Sequence, residues 1–347
     1  MDSIRAICAL WVVMGHFGGP PLTVGSDPTS TLAYYVQGVV NNLWSGPSAV
    51  IVFFVISGFC IHYPHSADLG LQSSVRAFWI RRFARIGVPM VCAIALASPL
   101  QVNLDLFERT ILWSLLAELI YYALYPVLLR VRTWSGSWAP LVFGAYLAAL
   151  GVIWTDPGAG DYPSYGFHLN WLLGLPCWLL GCVLAEKWPS IAAIVDRFGA
   201  FGSNIWVWRL AVWAAATTCS VLRFHSPVGY PWTLDLFALM VTVYLSLEIR
   251  HFIANPPPRV LEWAGLWSYS LYLTHGMAHK ALQTVPLPKL GYLLDWIVMM
   301  AAILLFAYVF YRVVERPSHA LARGMARRFM RSDQFRSSPS VVPKGIA

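Results

Sequence analysis

Charge is what this sequence has least of. Only 12% of its 347 residues are Asp, Glu, Lys or Arg, about half the share of an average soluble domain. That scarcity excludes a soluble fold. With 58% hydrophobic residues and a mean hydropathy of +0.60, the chain reads as an integral membrane protein. Paired cysteines are missing too. Cys8, Cys60, Cys92, Cys177, Cys182 and Cys219 lie in or beside apolar runs, with no CxxC and no metal-ligand spacing. Neither a disulfide framework nor a metal site is indicated, and the six thiols read as small core residues. There is no internal repeat at a fixed period, and no linker long enough to set off a second domain.

What the sequence does hold is ten apolar segments: 4–18, 46–63, 86–100, 110–129, 138–154, 170–186, 205–222, 233–249, 263–284 and 291–311. They predict an all-α integral membrane protein of about ten transmembrane helices. Several fall short of the ~20 residues that cross a bilayer, so flanking Trp and Tyr or local thinning must complete them. Ten spans with a cytoplasmic N-terminus also return the C-terminus to the cytoplasm. In that topology Arg109, Arg223, Lys280 and Lys289 are the only outer members of the 24 Lys and Arg. This asymmetry is the positive-inside pattern. The net charge of +8 therefore marks a basic tail beside anionic lipid, with no nucleic-acid surface implied. Residues 1–317 read as one transmembrane domain, and 318–347 as a basic, partly disordered cytoplasmic tail.

Charged groups inside such segments carry most of the functional information, because they are costly there. In MDSIRAICALWVVMGHF, Arg5 and His16 are eleven residues apart. On a helix that spacing puts them within about 20° of one face and ~16 Å apart along the axis. An N-terminal anchor with Arg5 as its flank is the plainer alternative. In FFVISGFCI, Ser57 and Gly58 permit close helix packing. Arg81, Arg82 and Arg85 group three guanidinium ions where a cytoplasmic loop enters the third span. Near a helix N-terminus such a group suits phosphates.

Glu118, in WSLLAELIYYALYP, lies about eight residues into a span, where a carboxylate needs a partner. The first span runs outward and the fourth inward, so Glu118 and His16 can meet in the outer half of the membrane. That pair would orient the imidazole as a base toward a hydroxyl; a structural hydrogen bond is the alternative. His275, in WSYSLYLTHG, is placed to line the same cavity or to be a satisfied buried histidine. In VVERPSHALAR, Glu315, Arg316 and Pro317 read as a charge pair and a stop where the last helix leaves the membrane.

These stretches, in this order, resemble the membrane acyltransferase 3 family, which O-acylates cell-surface polysaccharides and related glycosides. The match is carried by Asp2, Arg5, Ala6 and His16; by FFVISGF; and by Arg82 and Arg85. It continues through Trp113, Ser114, Leu115 and Glu118, then Ser268 to Leu273 with His275, and ends at Val314 to Pro317. Two departures are Met1, where the family has leucine, and Ala117, where a second glutamate is common.

The resemblance implies an enzyme that moves an acyl group, acetyl by default, from cytoplasmic acyl-CoA to a hydroxyl of a carbohydrate or glycoside. Acyl-CoA is a co-substrate, with no tightly bound cofactor. His16, Glu118 and Arg5 would be catalytic, His16 either as general base on the acceptor hydroxyl or as a transient carrier of the acyl group, and Arg81, Arg82 and Arg85 would hold the CoA phosphates. Trp113, Ser114, Tyr269 and His275 would line the substrate cavity. A bacterial inner membrane is the implied location. The competing class is a proton-coupled transporter or flippase, which buried His, Glu and Arg also suit. The matching broken segments of repeat-built transporters are missing from this sequence.

Overall fold

The computed structural model describes residues 1–21, 31–69, 71, 74–104, 110–197, 199, 202 and 204–325. Arg109 and most of the basic tail lie outside these residues. Among the described residues every regular element is helical. In chain order they are α1 (Asp2–Phe17), α2 (Thr31–Asn42), α3 (Gly46–His62), α4 (Val75–Ala97), α5 (Leu112–Ser135), α6 (Ala139–Ile153) and α7 (Asn170–Asp196). Then come α8 (Ile205–His225), α9 (Tyr230–Ala254), α10 (Arg259–Gly265), α11 (Ser268–Gln283) and α12 (Tyr292–Phe310).

Local chemistry sets several boundaries. The Ser45 hydroxyl accepts the Ser48 N–H at the start of α3, Ser74 accepts Ala77 at α4, and Asn204 accepts Trp206 at α8. Gly136, left-handed at φ 71°, stops α5. Among the described residues six stretches are long and apolar enough to cross a membrane: Tyr35–His65, Leu112–Ser135, Asn170–Asp196, Ile205–His225, Tyr230–Ala254 and Tyr292–Met325. The other expected spans fall outside that set for physical reasons. α1 and α11 have 16 residues each and α6 has 15, while α4 spends its first half on Arg76, Arg81, Arg82 and Arg85.

Two expectations about ends are corrected. Segment 263–284 is two helices, α10 and α11, broken at Leu266 and Trp267. The last helix does not stop at Pro317. It passes through a π-helical turn, Tyr311–Glu315, and continues to Met325. Pro317 lacks the N–H that would bond residue 313, and the widened turn just before it accommodates the interruption.

α3 and α7 form the centre of the bundle, backbone against backbone. A Cβ on Gly58 would strike the Trp178 carbonyl, and one on Gly181 would strike the Val55 carbonyl. The close packing expected around Gly58 is therefore real, and it leaves no room for a side chain. Gly58→Val should cost at least the ~1–3 kcal/mol of an overpacked core. It is expected to lower the apparent Tm of the detergent-solubilised protein by several degrees. Gly144→Ala in α6, where a Cβ meets nothing within 4 Å, should not lower Tm and should raise it slightly, because alanine is the better helix former. Equal Tm values for the two variants would contradict this packing.

Candidate active site

A cavity of about 400 Å³ opens at the end of the bundle where α1, α4 and α11 begin and α3 and α12 end. Arg5, Arg82 and Arg85 line it together with Glu118 and Glu315. Arg5 reaches Asp2 at 2.9 Å and donates to the Cys60 sulfur at 3.3 Å. Cys60 is therefore a cavity residue rather than core packing. The Arg82 guanidinium lies 5.7 Å from the Phe78 ring centre, and its Nε is buried with no hydrogen-bond partner among the described residues. Arg81 is not among the lining residues. Because α4 begins at Val75, Arg82 stands about two turns inside it. The expected help from free helix N-terminal N–H groups is thus absent; the positive potential here comes from the guanidinium groups.

Glu118 belongs to this cavity. Its Oε1 accepts the Ser57 hydroxyl at 2.5 Å and also the Tyr122 hydroxyl. Ser57 in turn accepts the Trp178 indole N–H at 3.2 Å. The expected partnership with His16 is not formed, since Ser57 and Tyr122 occupy the carboxylate and His16 lies in a different cavity. Glu315 is another surprise. The π-helical turn aims it at the start of α11, where Oε2 accepts the Ser270 N–H at 3.2 Å and the Ser270 hydroxyl at 2.5 Å. A carboxylate on the first-turn N–H of a helix complements the helix dipole. So Glu315 ties α12 to α11 and lines the cavity, which corrects the expected pairing with Arg316.

The second cavity, of about 620 Å³, opens at the other end, where α1 and α8 finish and α3, α5 and α9 start. His16, Trp44, Trp113, Asp161, Tyr162 and Arg223 are among its walls. His16 is exposed to it, and its Nδ1 lies 2.9 Å from the Val12 carbonyl. A carbonyl only accepts, so in the neutral ring Nδ1 carries the proton and Nε2 keeps its lone pair. His275 repeats the geometry: its Nδ1 is 3.2 Å from the Leu271 carbonyl, and its ring centre is 4.9 Å from that of His16.

A family model described as an acyltransferase domain matches residues 1–312. The chain belongs to the acyltransferase 3 family. It is 25% identical over 320 residues to the acyltransferase MdmB of Streptomyces mycarofaciens, covering 78% of this chain and 80% of that one. Nodulation protein 10 of Rhizobium leguminosarum bv. viciae is 25% identical over 226 residues, or 63% of this chain and 57% of its own. A putative O-acetyltransferase of Staphylococcus aureus (strain COL) is 23% identical over 384 residues, with 91% and 56% covered. This chain thus spans little more than half the length of the latter two. No solved structure matches it.

In this acyltransferase 3 family protein, a multi-pass membrane acyltransferase, the residues singled out from sequence divide between two chambers. Arg5, Arg82, Arg85, Ser114, Glu118 and Tyr269 line the first; His16 and Trp113 line the second. Tyr269 is held by its hydroxyl, which donates to the Ile86 carbonyl at 2.9 Å. His275 is 2% exposed, sits behind His16 and lines neither. Val50 and Tyr272 line both chambers.

Sequence reasoning missed Tyr122, Glu315, Tyr272 and Arg223 as wall residues. Tyr122 carried a usable signal, being four residues after Glu118 and so on its helical face. Glu315 did not, because a π-helical turn leaves no recognisable mark in a single sequence.

Proposed function

We propose that this protein is a membrane O-acyltransferase. It moves an acyl group, acetyl by default, from cytoplasmic acyl-CoA to a hydroxyl of a cell-surface carbohydrate or glycoside. The proposal includes a bacterial inner membrane, ten spans and both termini in the cytoplasm, so that the arginine chamber faces the cytoplasm.

The observation that carries this reading is the placement of a histidine, its Nδ1 against the Val12 carbonyl, in a roomy chamber that shares a wall with an arginine chamber. Arg82 and Arg85 would hold the CoA phosphates, with Arg5 nearer the thioester. The acceptor would sit in the His16 chamber, where Trp44, Trp113 and Tyr162 offer flat faces to a sugar ring, and Asp161 and Arg223 offer polar contacts. His16 Nε2 takes the proton of the acceptor hydroxyl as its oxygen attacks the thioester carbonyl. The C–S bond breaks, an ester C–O bond forms, and the CoA thiolate leaves and takes up the proton. Glu118 acts as a positioning residue of the donor chamber.

The test uses purified protein in nanodiscs with radiolabelled acetyl-CoA, with and without a cell-envelope polysaccharide extract. Slow CoA release alone, and label transfer to the extract, are expected. Neither CoA release nor CoA binding would overturn the donor assignment.

A further inference from the structure

Two chambers that share Val50 and Tyr272 have a common wall, and what that wall is made of decides what passes. Val50 lies in the second turn of α3, 6% exposed, flanked by Ile51 and Val52, which are also buried. A β-branched side chain on a helix has one strongly preferred rotamer, so Val50 is a stiff boundary. Tyr272 is likewise 6% exposed. Its hydroxyl lies 2.7 Å from the Ser114 hydroxyl and 2.9 Å from the Ile111 carbonyl, and Ser114 is itself 3.2 Å from that carbonyl. Two hydroxyl hydrogens serve three contacts, so either arrangement of the protons holds the ring. Phe53 and His275 flank it, each 6.2 Å between ring centres.

Arg5, Arg82 and Arg85 lie on one side of this wall and His16 on the other. A donor anchored on Arg82 and Arg85 must therefore present its acyl carbon between Val50 and Tyr272 to meet a nucleophile beside His16. We infer that Val50 and Tyr272 form the aperture that sets acyl length, admitting acetyl and excluding longer chains. This rests on the acyl-CoA reading above.

The expected discrimination is large, since one methylene against a fixed apolar wall is worth about 10- to 200-fold. The experiment measures kcat/KM for acetyl-, propionyl-, butyryl- and hexanoyl-CoA in nanodiscs, by CoA release, for wild type, Val50→Ala and Val50→Ile. Wild type should fall at least about tenfold from acetyl to butyryl. Val50→Ala should bring butyryl to within about threefold of acetyl, and Val50→Ile should depress propionyl further, because each alters the wall by methyl or methylene groups. Inhibition by free CoA should be the same in all three, because its phosphates bind elsewhere.

If Val50→Ala is poorly folded, Val50→Ile and Tyr272→Phe decide. The latter keeps the ring, frees it from Ser114 and Ile111, and should raise butyryl relative to acetyl. Unchanged chain-length profiles in variants active on acetyl-CoA would overturn the aperture alone. No turnover of any acyl-CoA by wild type would instead overturn the donor reading beneath it.

Discussion

His16→Ala is expected to reduce acyl transfer at least about a hundredfold, the usual contribution of a positioned general base being 10²–10⁴. The protein should remain folded. The His16 side chain is exposed to its chamber and makes its hydrogen bond within its own helix, to Val12. Truncating it therefore breaks no hydrogen bond between elements; what it removes is the ring contact with His275, 4.9 Å between centres. The variant should match wild type in Tm and in acetyl-CoA binding, and differ in CoA release and label transfer. His16→Gln sharpens the test, because its amide can still donate to a carbonyl but supplies no basic nitrogen. It should be as inactive as the alanine variant. Activity above about a tenth of wild type in either variant is too much for loss of a general base and would remove His16 from that role.

The second large effect is expected at Arg82. Its half-buried guanidinium has an Nε with no partner among the described residues and an aromatic ring beneath it, an arrangement that an arriving phosphate completes. Hydrogen bonds to charged groups contribute about 1.5–3 kcal/mol, so Arg82→Ala should raise the acetyl-CoA KM by roughly 10- to 100-fold. Turnover at saturation should change far less. Arg82→Lys should recover only part of the affinity, because an ammonium keeps the charge but not the planar fork. Arg81 does not line the chamber, so Arg81→Ala should leave KM near wild type. Equal KM increases in Arg81→Ala and Arg82→Ala would mean that net charge, not a shaped phosphate site, attracts the donor.

These predictions also mark how far the sequence could be read. The apolar segments overlap most of the helices, from α1 at Asp2–Phe17 to α12 at Tyr292–Phe310, because burial in lipid forces long apolar runs; α2, at Thr31–Asn42, lies in none of them, and α4 begins at Val75, eleven residues before its segment. The arginine pair Arg82 and Arg85 was legible as a unit, since three residues apart is one turn. What sequence spacing gives is depth and relative angle on one helix. It does not give the rotation of one helix against the next, and that is where the reading of Glu118 went astray. Glu118 lies barely a turn beyond Ser114, yet it faces Ser57 on α3 and not His16 on α1. Backbone irregularities were equally hidden. The break at Leu266 and Trp267 and the π-helical turn before Pro317 build the first chamber's wall from α11 and Glu315; the break sits inside a continuous apolar run, and the turn falls where the last apolar segment gives way to Arg312, Glu315 and Arg316. The division into two chambers at Val50 and Tyr272 depends on α3, α5 and α11 at once, so no local pattern could announce it.

The central claim is that acyl-CoA enters the arginine chamber from the cytoplasmic face while His16 serves the opposite side. The most direct measurement compares acetyl-CoA turnover by sealed membrane vesicles of defined orientation containing the protein. Inverted vesicles, with the cytoplasmic face outward, should release CoA from added acetyl-CoA. Right-side-out vesicles should do so only after permeabilisation. Turnover by intact right-side-out vesicles equal to that of inverted ones would contradict the account.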